Sequence, residues 1–282
     1  MRVAIIGAGT MGAGIAQLFA AHGGYQVALC DVTEELAEKG KSAVQKALFR
    51  LAEKGRLSRD EAHEALERIN TGQVQAAFGA QLIIEAAAED MAVKKQLFKE
   101  LQENCEPGAI YATNTSSLSV TELSAGLREP VIGMHFFNPA PLMKLVEIVS
   151  GLGAPPALAD RAAQITRDIG KEPVHVKDSS GFVVNRILIP MINEAIGVLA
   201  EGTALAEDID AAMKLGAGHP MGPLALCDLI GADICLAIMD TLYADTHDGK
   251  YRAHPLLRRM ASGGILGRKS GKGFYDYSSD RT

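Results

Sequence analysis

Apolar residues in the first two thirds of the chain come in short unbroken runs, each followed by glycine or by a segment of helical period. Arg2-Val-Ala-Ile-Ile-Gly7 is β-branched and apolar without alternation, the texture of a strand covered by helices on both faces of a sheet. Thr10 to His22 then repeats apolar residues at helical spacing and stops at Gly23-Gly24, and Tyr25-Gln-Val-Ala-Leu-Cys-Asp31 forms a second apolar strand. The unit predicted is β-α-β with a parallel sheet. A long charged helix follows from Glu34 to about Lys54, and Ser58-Arg-Asp-Glu61 is a capping box opening another that reaches about Ile69. These two helices form an excursion from the sheet.

Gln81-Leu-Ile-Ile-Glu85, Ala109-Ile-Tyr-Ala-Thr113 and Val131-Ile-Gly-Met-His135 read as further strands, with a helix from Val93 to Cys105 between the first two. Lys144 to Val149 and Pro173 to Val176 continue the strand series. After Gly181 the texture changes. Phe182 to Glu201, Glu207 to Leu215, Pro223 to Asp245 and Leu256 to Ser262 all carry a helical period, and no strand is evident. The expected fold class is therefore α/β: a Rossmann-type, mostly parallel sheet domain with a helical insertion over residues 1–181, then an all-α C-terminal domain over 182–282.

Composition excludes several partners. With 48% hydrophobic residues the chain has ample core material, and its net charge of −6 is spread without a basic patch, which argues against nucleic acid. The apolar run at Val3–Ile6 is far short of the roughly 20 residues that span a bilayer, and no arginine-rich leader precedes it, so no membrane partner and a cytoplasmic location are expected. Cys30, Cys105, Cys227 and Cys235 lack C-x-x-C spacing and read as reduced core thiols, with no metal site implied.

The first chemical signature is Gly7-Ala8-Gly9-Thr10-Met11-Gly12, a G-x-G-x-x-G string placed between a strand and a helix. Gly7 permits the tight turn, Gly9 lets a pyrophosphate approach the backbone and Gly12 allows close packing of the helix, whose N-terminus offers unpaired N–H groups. Asp31 ends the second strand about 20 residues beyond the last glycine, where a carboxylate accepts ribose hydroxyls and repels a 2′-phosphate. That predicts NAD over NADP as cofactor; the alternative use of Asp31 is to cap the helix that starts near Thr33. Asn114-Thr-Ser116-Ser117 and His135-Phe-Phe-Asn138-Pro139 each follow a strand, where open α/β sheets place ligands. Ser117 reads as a cap for the segment starting at Val120.

The string from Asn114 to Leu118, Gly133-Met-His-Phe-Phe-Asn-Pro-Ala-Pro141, Met143-Lys-Leu-Val-Glu147 and Gly181-Phe-Val-Val-Asn-Arg186 resemble the 3-hydroxyacyl-CoA dehydrogenase family in order and spacing. Met213-Lys-Leu-Gly-Ala-Gly, Pro220-Met-Gly-Pro223 and the tail Gly267-Arg-Lys-Ser-Gly-Lys-Gly-Phe-Tyr275 extend the likeness along essentially the whole chain, most closely to the bacterial 3-hydroxybutyryl-CoA branch. The resemblance implies NAD-dependent interconversion of (S)-3-hydroxyacyl-CoA and 3-ketoacyl-CoA. It assigns His135 as general base, Glu147 as its orienting carboxylate, and Ser116 and Asn185 as donors to the substrate's C3 oxygen. A carboxylate beside an imidazole also fixes its tautomer and stabilises the imidazolium, which favours that pairing on chemical grounds.

By the same resemblance Glu89, Lys94, Asn114, Asn138 and Lys269 contact the cofactor, and Arg50 and Lys54, one helical turn apart, meet the CoA phosphates. Ala47 departs from members that carry a serine there for CoA. An acyl-CoA substrate and a homodimer are the expected partners. Two alternatives stay open: a dehydrogenase of a free β-hydroxy acid such as gulonate, and a non-catalytic NAD-binding protein.

Overall fold

The computed structural model describes residues 1–22 and 24–278. They divide into two compact units, Met1–Ser179 and Ser180–Thr282.

The first unit is built on one eight-stranded sheet. Its strands are β1 (Arg2–Ile6), β2 (Gln26–Cys30), β3 (Ile69–Gly72), β4 (Leu82–Glu85), β5 (Ile110–Thr113), β6 (Val131–Phe136), β7 (Leu145–Ser150) and β8 (Glu172–Lys177). They lie in the order β3-β2-β1-β4-β5-β6-β7-β8. The six strands from β3 to β6 are parallel, and only the β6–β7 junction is antiparallel. The sheet thus meets the mostly parallel expectation, and its central strands are buried on both faces, which explains their unalternating sequences. Strand order reverses between β1 and β4, so a crevice opens at their C-terminal ends, where doubly wound sheets bind ligands.

The helices of this unit are α1 (Thr10–Ala21), α2 (Glu34–Glu53), α3 (Arg59–Glu67), α4 (Met91–Asn104), α5 (Val120–Ser124) and α6 (Pro156–Asp168). Ile15, Leu18 and Phe19 of α1 are buried in the core with Val3 and Ile5 of β1. Ser58 caps α3 in the capping box read from the sequence, its hydroxyl accepting from Glu61 N while Glu61 accepts from Ser58 N. Of the glycine pair read as the end of α1, Gly24 takes a left-handed φ of 65° and Gly23 lies outside the described residues.

Three details differ from the pattern-based reading. The helix read through to Ile69 ends at Glu67, and Ile69 instead begins β3, an edge strand whose single fully buried residue gives no alternation to read. Helix α6 was not anticipated; its buried face is mostly alanine, a faint signal. The helix read from Pro223 to Asp245 is two, broken at Gly231, whose φ of 109° is open to glycine but strained for other residues.

The second unit holds α7 (Val184–Ala200), α8 (Ala206–Gly216), α9 (Pro223–Ile230), α10 (Ala232–Thr246) and α11 (Pro255–Ser262). Among its described residues there is no strand, and Ile192, Ile196, Leu224, Met239, Leu242 and Leu257 form its core. The tail motif has a packing reason. Asp228 accepts from the Phe274 and Tyr275 amides at 3.0 Å each, and a Cβ on Gly273 would stand 1.9 Å from its carboxylate. Among the described residues no helix is long and apolar enough to cross a membrane.

Candidate active site

The glycine loop leaves β1 at the point where strand order reverses. A Cβ on Gly7, whose φ is 99°, would lie 2.5 Å from the Ala86 carbonyl oxygen just past β4, and one on Gly12 would lie 1.7 Å from the Gly7 carbonyl oxygen. Both glycines are demanded by the protein's own packing. Gly9 differs: a Cβ there meets nothing within 4 Å, and it stands exposed at the N-terminus of α1 with no side chain capping the helix. Room, unpaired backbone donors and the positive end of a helix dipole coincide at Gly9, which fits a dinucleotide pyrophosphate. Thr10 is exposed beside it, and Met11 packs partly into the core.

Asp31 stands at the end of β2 beside this loop. Its Oδ2 accepts from Ala8 N at 2.7 Å and its Oδ1 from Val32 N at 2.7 Å. The capping alternative fails, because Thr33 caps α2 by accepting from Leu36 N. Asp31 is therefore a partly exposed carboxylate tied to the glycine loop, and no ion pair within 4.0 Å engages it among the described residues.

The chemistry-bearing histidine lies on β6. His135 and Glu147 are directly opposed in the antiparallel β6–β7 register, so their side chains share a face. His135 Nδ1 and Glu147 Oε2 are 2.7 Å apart, with side chains 6% and 1% exposed. The Phe137 ring lies against the imidazole, 4.5 Å between centroids. A buried carboxylate at Nδ1 assigns the proton to that nitrogen and turns Nε2 into the one that exchanges protons.

Ser116 follows β5, whose parallel pairing with β6 brings both C-terminal ends to one sheet edge. Its amide donates to Glu89 Oε1 at 3.1 Å, and the Thr115 and Ser117 hydroxyls donate to the same oxygen at 2.6 and 3.0 Å. Ser117 is consequently not the cap of α5; Ser119 is, accepting from Glu122 N. Asn114 ties the two strand ends together, its Oδ1 accepting from Phe136 N at 2.9 Å. Asn138 is exposed, just past β6.

Reasoning from sequence missed Glu85. This wholly buried carboxylate at the end of β4 accepts from Lys94 Nζ at 2.5 Å, Ala87 N at 2.6 Å and Thr113 Oγ1 at 2.7 Å. Lys94, 1% exposed, also lies 3.3 Å from Glu89. Burial pushes the Glu89 carboxyl up, but the Lys94 ammonium and the hydrogen bonds from Thr115, Ser116 and Ser117 outweigh it and hold Glu89 below its ordinary value. A charged residue closing an apolar strand was the available signal. Lys171 was missed as well: its buried ammonium donates to the Pro141 and Met143 carbonyls at 2.9 and 2.7 Å, pinning the segment after β6. Desolvation lowers its pKa.

A cavity of about 480 Å³ opens between α1, α2 and the segment Asn138–Leu142, and both Arg50 and Lys54 line it. Each of the two is exposed and makes no salt bridge among the described residues. Ala47 lies on the same wall. Two expected site residues belong to the second unit: Asn185 is partly buried in the first turn of α7, and Lys269 Nζ lies 2.6 Å from Asp233 Oδ1. Among the described residues no group of three His, Cys, Asp or Glu side chains could hold a metal ion.

Residues 2–179 match the family model for the 3-hydroxyacyl-CoA dehydrogenase NAD binding domain, and residues 181–277 match that family's C-terminal domain. The chain is 50% identical to a 3-hydroxybutyryl-CoA dehydrogenase of Clostridioides difficile over 99% of this chain and 100% of that protein. It is 42% identical to a 3-hydroxyadipyl-CoA dehydrogenase of Escherichia coli, over 99% of this chain and 59% of that protein. A solved (S)-3-hydroxybutyryl-CoA dehydrogenase from Ralstonia eutropha superposes with a TM-score of 0.93 at 44% identity, covering 98% of each chain.

Proposed function

The chain belongs to the 3-hydroxyacyl-CoA dehydrogenase family, and from that premise we propose that it interconverts short-chain (S)-3-hydroxyacyl-CoA and 3-ketoacyl-CoA, with NAD as cofactor. The observation that carries the reading is the buried His135–Glu147 pair fixed by strand register. When bound, NAD supplies the hydride acceptor.

His135 Nε2 takes the substrate's hydroxyl proton, and Glu147 keeps the imidazole in the right tautomer and stabilises the cation formed. In the reverse direction the same nitrogen returns the proton. Ser116 and Asn185 donate hydrogen bonds to the C3 oxygen, where alkoxide-like charge develops. Gly7, Gly9 and Gly12, with Thr10 and Met11, shape the pyrophosphate cradle, and Asp31 accepts from the adenosine ribose. Glu89, held ionised by Lys94, faces the nicotinamide side together with Asn114, Asn138 and Lys269. Arg50 and Lys54 meet the CoA phosphates at the cavity between α1 and α2.

A homodimer formed through the helical unit is supported by Ile187, Leu229 and Ile234, which are 67%, 50% and 45% exposed there. Four free cysteines, Cys227 and Cys235 among them with sulfurs 3.7 Å apart, support a reducing compartment such as the cytoplasm.

The test is NADH oxidation with acetoacetyl-CoA and with longer 3-ketoacyl-CoAs, repeated with NADPH and with free 3-keto acids. Fastest turnover is expected with acetoacetyl-CoA and NADH. Absence of turnover with every thioester would discard the proposal, and turnover of free acids alone would transfer the protein to the β-hydroxy acid alternative.

A further inference from the structure

Gln17 lies two turns into α1, on the helix face that Thr10, Ala13 and Gly14 also occupy, and that face forms one wall of the 480 Å³ cavity. The side chain is 7% exposed, no hydrogen bond joins its amide to another described residue, and neither amide atom is among the wholly buried atoms left without a partner, so the amide opens on the cavity it lines. A carboxamide that opens on a cavity and bonds nothing in the protein keeps both its donor and its acceptor for what enters that cavity. Much of the wall is apolar, with Ala13, Val44, Ala47, Leu51 and Pro141 lining it. Gly14 lets the segment after β6 come close, since a Cβ there would meet Pro141 Cδ at 3.3 Å. Lys171 pins that segment from behind. The cavity therefore has fixed walls, and the cations Arg50, Lys54 and Arg56 line it as well.

A ligand that fits must combine three features. It needs an anionic group for the cations, an apolar stretch for the wall, and within that stretch a group that both donates and accepts a hydrogen bond. The phosphopantetheine arm has all three: phosphates at one end, a gem-dimethyl carbon, and two secondary amides. A carboxamide pairs with a secondary amide through the donor and acceptor each carries. We infer that Gln17 is a substrate-recognition residue that hydrogen-bonds an amide of the pantetheine arm of the acyl-CoA. This rests on the reading that Arg50 and Lys54 meet the CoA phosphates, and it supplies a polar anchor in a cavity where Ala47 offers none.

The experiment compares wild type, Gln17→Met and Lys54→Ala on three acetoacetyl thioesters: the CoA ester, the pantetheine ester lacking the nucleotide, and the ethyl ester lacking both amides. Gln17→Met is expected to raise KM about fivefold for the CoA and pantetheine esters relative to the ethyl ester, as for one lost neutral hydrogen bond. Its kcat with acetoacetyl-CoA and its Kd for NADH stay at wild-type values. Lys54→Ala raises KM for the CoA ester only. Equal KM rises on all three esters, or no rise on the pantetheine ester, would overturn the role of Gln17. If Gln17→Met folds poorly, Gln17→Glu serves: a carboxylate keeps the acceptor and loses the donor, so KM must still rise for the amide-bearing esters. The phosphate reading fails separately, by an unchanged KM of Lys54→Ala on acetoacetyl-CoA.

Discussion

Two ionic clusters sit at the same edge of the sheet and are built from different elements. His135 and Glu147 face each other across an antiparallel junction, an imidazole against a carboxylate at 2.7 Å. Glu85, Lys94 and Glu89 are assembled differently: an ammonium between two carboxylates, with Thr113, Thr115 and Ser117 donating around it. One cluster joins two neighbouring strands, whereas the other joins β4, α4 and the segments that follow β4 and β5.

The contrast breaks most visibly at His135. In His135→Gln, kcat is expected to fall by about a hundredfold or more, while the Kd for NADH is unchanged. Loss of NADH binding in step with kcat would mean that the imidazole is part of the scaffold. Asp31, a carboxylate at this edge without a cation partner among the described residues, offers a second test. Replacing it in Asp31→Ala should move the ratio of kcat/KM for NADH over NADPH by roughly tenfold toward NADPH, since a repulsive element is removed. An unchanged ratio would show that Asp31 serves only the Ala8 and Val32 amides.

The smallest effect concerns the cluster around Lys94. The Glu89 carboxyl sits below its ordinary value in the folded protein, so its stabilising contribution is complete above the ordinary carboxylate range and disappears as pH falls through the lower folded value. Glu89→Gln should therefore lower the urea midpoint at pH 7, by an amount that shrinks as the pH is lowered through the acid range. The same displacement at every pH would locate the role in packing.

How much of this was legible without coordinates depends on how local the cause is. Strands β1, β2, β4, β5 and β6 announced themselves because burial on both faces leaves an uninterrupted apolar run. The glycine string could be read for the same reason, since Gly7 and Gly12 answer contacts within one β-α turn and the strand beside it. The partners of Glu85 could not, because Lys94 and Thr113 reach it from α4 and β5. Nor could the assignment of the α5 cap among three serines, which turns on Glu89 drawing Ser117 away. His135 and Glu147 were suggested by family likeness and by chemistry. Their face-to-face placement needed the antiparallel β6–β7 register, which sequence alone did not give.

Gly9 has one more consequence. Beyond its chain neighbours, no described residue comes within 4 Å of the methyl group an alanine would add at Gly9, so the fold itself should tolerate that change. A library of Gly9 variants sorted by soluble expression should pass almost unfiltered, whereas the same library at Gly7 or Gly12 should be depleted. Sorted by turnover, all three positions should lose their variants. The loop thus carries two separable kinds of selection, one from the fold and one from the guest.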